Sequence, residues 1–193
     1  GERSGLDGLV GTALTMVPPN SQQEGRLLAV SGRVKGLEEG DYQAAEAAFQ
    51  KALAIAVQAG DQALEMRTLA EAAQVDFFHL RLPEALRKSL RLLELSSTLS
   101  DLRIETAAQY SATLAFLWAG DLEAARIHVE LMLAAAERLR DRFWLHFAFW
   151  ACELTCISTG NWAVARQFSD RGLAVAPEAP TLLSIRATLE FEA

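Results

Sequence analysis

A forty-residue repeat is the feature of this sequence that most limits what it can fold into. Four segments align without gaps at this spacing, reading GDYQAAEAAFQKAL, LRLPEALRKSLRLL, GDLEAARIHVELML and GNWAVARQFSDRGL from Gly40, Leu80, Gly120 and Gly160. An alanine column recurs at Ala45, Ala85, Ala125 and Ala165. A leucine column recurs at Leu53, Leu93, Leu133 and Leu173. A fixed period of this length is typical of arrays in which each repeat is one supersecondary unit.

The repeat carries two helix-capping signals, half a period apart. Gly40, Gly120 and Gly160 suit the left-handed residue that ends a helix, and the Asp or Asn after each suits the N-cap of the next helix. In the second copy, Leu80 and Arg81 replace this pair, and Pro83 falls in the first turn, where proline is tolerated. The second series also consists of capping types, at Ser21, Asp61, Asp101, Asp141 and Thr181. Each unit is therefore predicted to be a helix pair joined by a tight turn.

The predicted fold class is an all-α solenoid of antiparallel helix pairs. First helices are predicted near 22–38, 62–79, 102–118 and 142–158, and second helices near 42–58, 83–98, 122–138 and 162–175. The repeats span 21–60, 61–100, 101–140 and 141–180. Residues 1–20 form a flank with a leftover helix near 6–16, and residues 181–193 form a capping helix that starts near 182. We expect the alanine column to pack between helices and the leucine column to lie in the core.

Composition excludes several classes of function. Apolar residues make up 51% of the chain, with only 12 glycines and 5 prolines, and alternating strand patterns are absent. A net charge of −7 and a pI near 5.0 argue against nucleic-acid binding, which needs clustered Lys and Arg. No segment reads as a membrane span or a signal peptide. With two cysteines, we expect a cytoplasmic location. Because the chain begins with Gly1, we expect it to be a segment of a longer protein.

The joint pattern resembles a tetratricopeptide repeat, over roughly residues 21 to 193. The alanine column falls on the small residue of that motif's second helix, Phe49 and Ala52 match its next positions, and Pro177 falls on its terminal proline. The first-helix small residue is kept less well, since Arg33 and Glu153 occupy that column. The resemblance implies a right-handed superhelix. The forty-residue variant is similar to helical-repeat regions of large bacterial regulators, such as LuxR/maltose-activator-type transcription activators and cyclase-linked proteins, which implies a role in signalling beside another domain.

The resemblance also implies that the first helices line a concave groove. The columns that face it hold mainly apolar and aromatic residues, and the expected binding positions are Arg67, Gln74, Phe77, Tyr110, Leu114, Trp118, Phe147, Trp150 and Leu154. The carboxylate clamp used by some members of the family is not expected, because only Arg67 and Gln74 carry suitable polar groups. Two interpretations stay open. The groove is a binding surface, or its aromatic residues pack against each other or against a second copy.

The other candidate sites are explained more simply by ordinary structural roles. Cys152 and Cys156 lie four residues apart near His146, but no further ligand has metal-site spacing, so buried free thiols are expected. Two basic runs, at 81–91 and 138–142, could dock an acidic surface. The simpler interpretation is a solvated helix face, with Glu84 and Lys88 as an i,i+4 pair. No catalytic set, cofactor motif or metal site can be assembled, so an enzyme is not expected.

Two hypotheses of different classes follow. The leading one is a non-catalytic scaffold that binds a protein, a peptide or a neighbouring domain of the same chain, with no nucleic acid and no membrane as partner. A homodimer is also compatible with the sequence. The alternative is a sensor for a sugar or an apolar metabolite, with Tyr110, Trp118, Phe147 and Trp150 as the aromatic site.

Overall fold

The computed structural model describes residues 4–97 and 101–191, and within them the chain is all-helical with no strand. These residues form ten α-helices: α1 Ser4–Met16, α2 Gln22–Val34, α3 Tyr42–Ala59, α4 Gln62–Phe78, α5 Leu82–Ser96, α6 Leu102–Ala119, α7 Leu122–Leu139, α8 Arg142–Ser158, α9 Trp162–Val175 and α10 Pro180–Phe191. A π-helical turn, Lys35–Glu39, extends α2. The all-α prediction is confirmed. Residue 98, the predicted end of the helix at 83–98, lies outside the described residues. Residues 1–3 and 192–193 of the two terminal segments also lie outside them.

The chain divides into two compact units, residues 1–98 and 99–193. In the first unit each helix from α1 to α5 packs against the next, and α2 also contacts α4. In the second unit consecutive helices from α6 to α10 do the same, and α8 contacts both α6 and α10. The first unit has a core cluster of Ala45, Phe49, Ala72 and Val75. The second has one of Ala165, Ile185 and Leu189, on which Trp150 and Leu154 pack.

The capping signals form the joints as predicted, with one exception. The carboxylates of Asp41 and Asp121 accept hydrogen bonds from the amides of Ala44 and Ala124, at 2.9 and 3.1 Å. Ser21, Asp61, Asp101, Asp141 and Asn161 cap their helices in the same way. Thr181 does not, because α10 already begins at Pro180. Its hydroxyl instead lies 2.7 Å from His146 Nε2 and connects α10 to α8.

The Gly column supplies the left-handed conformation at the joints. Gly40, Gly120 and Gly160 have φ values of 75°, 83° and 73°. Leu80, which occupies this column in the second copy, is held at φ 57° although it is not a glycine. The left-handed region costs a residue with a Cβ about 1–2 kcal/mol, and Leu80 is 75% exposed, so packing does little to offset that cost.

Leu80→Gly is therefore expected to stabilise the first unit by about 1 kcal/mol, because the substitution removes left-handed strain and deletes a solvent-exposed apolar side chain. Urea denaturation followed by circular dichroism measures the change. The reverse substitution at an equivalent joint, Gly120→Leu, serves as the matched control and is expected to destabilise by a similar amount. A Leu80→Gly variant less stable than the parent would contradict this account.

The alanine column packs between helices, as predicted, whereas the prediction for the leucine column is wrong. Ala45, Ala85, Ala125 and Ala165 are at most 2% exposed. Leu53, Leu93, Leu133 and Leu173 are only half-buried, and the buried positions are one residue earlier: Ala52, Leu92, Met132 and Gly172. Helix geometry explains the difference, because each residue advances about 100°. The residue seven positions after the alanine lies within about 20° of the same helix face, whereas the residue eight positions after it lies about 80° away.

Candidate functional site

Five aromatic side chains of the second unit meet where α6 packs against α8. Tyr110 of α6 lies at the centre, with its ring centroid 5.5 Å from Phe147, 6.2 Å from Trp144 and 6.4 Å from Trp150. The ring of Phe143 lies 4.9 Å from Phe147. Edge-on contacts at these distances stabilise aromatic pairs beyond the area they bury. We call Tyr110, Phe143, Trp144, Phe147 and Trp150 the aromatic cluster.

Exposure divides the aromatic cluster into an inner and an outer part. Tyr110 is 9% exposed, and burial raises the pKa of its hydroxyl above the ordinary value. Trp144, Phe147 and Trp150 are half-buried, whereas Phe143 is 59% exposed. The predicted groove residues Tyr110, Phe147 and Trp150 are thus brought together. Their rings mainly contact one another and the core, and Phe143 presents the cluster to solvent.

A second exposed apolar side chain stands at the equivalent repeat position of the neighbouring helix α10. Leu183 of α10 follows Phe143 by one forty-residue period and is 47% exposed. The two helices are connected close to these residues, because His146 Nε2 lies 2.7 Å from the Thr181 hydroxyl. We call Phe143, Phe147 and Leu183 the α8–α10 patch.

The other predicted groove residues of the second unit have different surroundings. Leu114 is 4% exposed and belongs to the interior of the unit. Leu154 packs on the cluster formed by α9 and α10. Trp118, near the end of α6, is 50% exposed.

In the first unit the predicted groove residues lie along α4. Arg67 is exposed, and its Nε lies 3.3 Å from the carboxylate of Glu71 on the next turn. Gln74 and Phe77 are half-buried, and the Phe77 ring makes an edge contact with Phe78 at 5.5 Å. Phe78 is 61% exposed. The charged position is therefore engaged in a local ion pair.

Sequence reasoning missed Phe143 and Trp144 as members of the aromatic cluster. The signal for Phe143 was present, because Phe143 and Phe147 are four residues apart and lie on one helix face. Trp144 was harder to place, because its contact with Tyr110 depends on how α6 and α8 cross.

The first unit contains a buried polar network that was also missed. Lys88 of α5 is only 4% exposed, and its Nζ lies 2.8 Å from both Asp76 Oδ2 on α4 and Glu46 Oε2 on α3. The Tyr42 hydroxyl donates a hydrogen bond to Asp76 Oδ1 at 2.9 Å. The prediction that Lys88 lies on a solvated face beside Glu84 is wrong. A lysine is buried when it is paired, and here two carboxylates from two other helices pair with it.

Burial and charge act against each other in this network. Burial is the largest effect on Asp76 and raises its pKa, although hydrogen bonds from Lys88 and Tyr42 act in the opposite direction. Burial also opposes ionisation of Glu46, but the hydrogen bond and charge of Lys88 outweigh it, and the pKa of Glu46 is lowered. The hydrogen bonds and charge of Lys88 thus favour the ionised form of both carboxylates, against the effect of burial.

The described part of the chain has two cysteines and no grouped metal ligands. Within residues 4–97 and 101–191, no group of three or more His, Cys, Asp or Glu side chains could hold a metal ion. Cys152 is buried, Cys156 is half-buried, and both are free thiols. Burial raises the pKa of both, which disfavours the reactive thiolate. None of the described helices is both long and apolar enough for a membrane crossing.

Comparisons with known proteins place no family on this architecture. No family model matches the chain, and no curated protein matches it.

Proposed function

We propose that this chain is a non-catalytic interaction module, a tetratricopeptide-type array that holds a protein partner or a neighbouring domain. The forty-residue period, the all-helical fold and the buried alanine in every copy support this proposal. On the resemblance, the module serves a cytoplasmic signalling or transcription-regulatory protein of bacterial type.

The α8–α10 patch is the observation that carries the proposal. Phe143 and Leu183 are 59% and 47% exposed, occupy equivalent repeat positions and extend from neighbouring helices. Apolar side chains that group on a surface in this way mark sites where proteins interact. Aromatic anchors supply much of the binding free energy at such sites, and an exposed ring supported by packed rings behind it is already ordered. Tyr110 does not offer a ring face to a ligand, because it is buried.

Phe143→Ala is expected to reduce recovery of a bound protein at least tenfold, since loss of an aromatic anchor typically costs about 2 kcal/mol or more of binding free energy. The measurement is affinity purification of the tagged chain from cells of its source, with the co-purified protein identified and quantified by mass spectrometry. Phe143 is preferable to Tyr110 or Trp150 for this test, because an exposed side chain can be truncated with little effect on the stability of the fold.

Ile127→Ala is the matched control. Ile127 lies on α7 in the same unit, is 45% exposed and is outside the α8–α10 patch, so this variant should recover the partner as the parent does. Equal recovery with Phe143→Ala and the parent would refute the patch as the binding surface. If no protein co-purifies in stoichiometric amount and a saccharide or apolar metabolite raises the melting temperature, the sensor hypothesis is favoured over the interaction module.

A further inference from the structure

Glu153 of α8 is a buried carboxyl group that no other described residue satisfies. Its side chain is 0% exposed, and neither Oε1 nor Oε2 has a hydrogen-bond partner among the described residues. Across the interface on α9, the Ser169 hydroxyl is likewise 0% exposed and makes no full hydrogen bond, although it lies close enough to the Glu153 carboxyl to lower its pKa. Buried polar groups are nearly always hydrogen-bonded, so two unsatisfied groups at one helix interface call for an explanation.

Helix α10 closes this part of the interface. Ala165, Ser169 and Gly172 follow one another by four and three residues, so they share one face of α9. Ala165 packs in one cluster with Leu189 of α10. At the other end, a Cβ added to Gly172 would lie 3.0 Å from Leu182 Cδ2, also on α10. Ser169 therefore lies between the two points at which α10 rests on α9, and both leucines are 0% exposed.

The charged groups around Glu153 compensate its burial only in part. Burial is the largest effect and raises the pKa of Glu153 to about 7, while Ser169 of α9 and Arg186 of α10 act to lower it. Arg186 is itself engaged with other carboxylates, because it lies 2.6 Å from both Asp170 and Glu190. The Ser169 hydroxyl is thus the donor that remains available to a charged Glu153 among the described groups acting on it.

A second cation near this part of α8, Arg171 of α9, acts on Cys152. It lies over the Phe149 ring and 2.8 Å from Glu137, so it is already engaged with another carboxylate. On α8 itself, Cys152 and Cys156 are close enough for the charge of Glu153 to raise their pKa values. Glu130 of α7 acts on Cys152 and is negative. Tyr110 of α6 packs on the rings of Phe147 and Trp150. Ionisation of Glu153 therefore places a charge in an interface of thiols and apolar side chains.

We propose that Glu153 and Ser169 form a proton-controlled latch that holds α10 on α8 and α9. With Glu153 neutral, the carboxylic acid and the hydroxyl can satisfy each other with one hydrogen bond and no buried charge. When Glu153 releases its proton to water, a single hydroxyl is left to solvate a buried carboxylate. Separation of α10 then exposes the carboxylate to water and lowers its free energy.

The direction of the pH effect follows from the two states of the latch. In the closed state Glu153 titrates near 7, whereas in the open state it titrates near its ordinary value of 4.5. The closed state is therefore fully favoured below pH 4.5, loses stability as pH rises from 4.5 to about 7, and loses no more above that. Within this window the opening equilibrium constant rises by up to about tenfold per pH unit.

Hydrogen exchange of the α10 backbone amides in the full chain tests the latch. Protection factors corrected for intrinsic exchange should fall by up to about tenfold per pH unit between pH 5 and pH 7, then level off. Glu153→Gln should keep α10 protected at pH 8 and abolish the fall, because the amide cannot ionise. Glu178→Gln is the matched control, since Glu178 is exposed, and it should behave as the parent.

Ser169→Ala gives a second readout that a merely structural role would not move. Without the hydroxyl, Glu153 should titrate at higher pH, so the fall in protection should continue past pH 7. The proposal is overturned if α10 protection in the parent does not change with pH, or if Glu153→Gln retains the parent's fall. It is also overturned if Ser169→Ala does not change the pH at which α10 protection stops decreasing.

Discussion

Lys88→Met is expected to destabilise the first unit by about 3–5 kcal/mol, because it leaves the buried Asp76 and the half-buried Glu46 without their counter-charge. Asp76 is 0% exposed, and the Lys88 ammonium lies 2.8 Å from it and from Glu46. Methionine replaces most of the lysine stem, so the loss is one of charge and hydrogen bonding rather than of packing volume. Urea denaturation monitored by circular dichroism measures the free energy of unfolding.

Lys51→Met is the matched control for this prediction. Lys51 lies 2.6 Å from Glu24, but its side chain is 51% exposed, against 5% for Lys88. Glu24 also accepts a hydrogen bond from the Asn20 amide, so it keeps a partner when the ion pair is broken. We expect a loss below about 1 kcal/mol there. Equal losses in the two variants would show that burial does not distinguish the two ion pairs, and the account of the network would fail.

The Lys88→Met deficit should also depend on pH. Once the ammonium is gone, burial raises the pKa of Asp76 further above its unfolded value of 3.8, because the main opposing interaction has been removed. A carboxyl with a raised folded-state pKa contributes most stability at low pH and loses it as pH rises. The deficit is therefore expected to be smaller near pH 5 than near pH 8. Adding Asp76→Asn to Lys88→Met should recover part of the loss, because it removes one unpaired charge.

The helical joints could be predicted from the sequence because they depend on local interactions. Asp41 caps α3 through the amide of Ala44, only three residues away, and Gly40 ends the preceding turn with φ 75°. Such interactions are fixed by residue type and short spacing, so the fold class and nearly all of the caps were accessible. The buried alanine column was accessible for the same reason, because the forty-residue period aligns equivalent helix faces.

The Lys88 network could not be predicted from the sequence, because its members come from three helices and the equivalent positions in another repeat differ in chemistry. One period after Asp76 and Lys88 stand Phe116 and His128, whose rings stack with centroids 5.2 Å apart. The same pair of repeat positions thus holds a salt bridge in one copy and an aromatic stack in another. A repeat pattern locates such a contact, but only the structure shows which groups satisfy each other.

The candidate surface was predicted in part. The sequence pattern placed Tyr110, Phe147 and Trp150 in one region, and their rings do meet. It did not show that Tyr110 and Leu114 are buried, because the same apolar spacing serves a groove and an interior equally well. Exposure depends on how closely α6 and α8 approach, which is set by packing across many residues. Phe143 became the clearest candidate only once its exposure was known.

Phe49→Ala is expected to destabilise the first unit by about 3–5 kcal/mol, because it empties a well-packed site. Phe49 is 1% exposed and packs with Ala45, Ala72 and Val75. Its ring also occupies the space left by Gly32 of α2, where an added Cβ would lie 2.7 Å from Phe49 Cε1. Urea denaturation followed by circular dichroism gives the free energy of unfolding. It is measured for the parent, Phe49→Ala, Gly32→Ala and the variant that carries both substitutions.

The effect of Gly32→Ala on the free energy of unfolding is expected to have opposite signs in the parent and in Phe49→Ala. Independent contacts would give the same effect in both. In the parent, the methyl group forces the Phe49 ring to move and costs about 1–3 kcal/mol, more than the roughly 1 kcal/mol that alanine contributes to a helix interior. In Phe49→Ala the methyl enters empty space, so the same substitution should stabilise. Gly8→Ala, with nothing within 4 Å of its added Cβ, should stabilise in both backgrounds alike. Additive effects of the two substitutions would show that Gly32 and Phe49 do not share this space. A coupling free energy of about 1–3 kcal/mol would establish that the small residue of α2 and the large residue of α3 pack against each other.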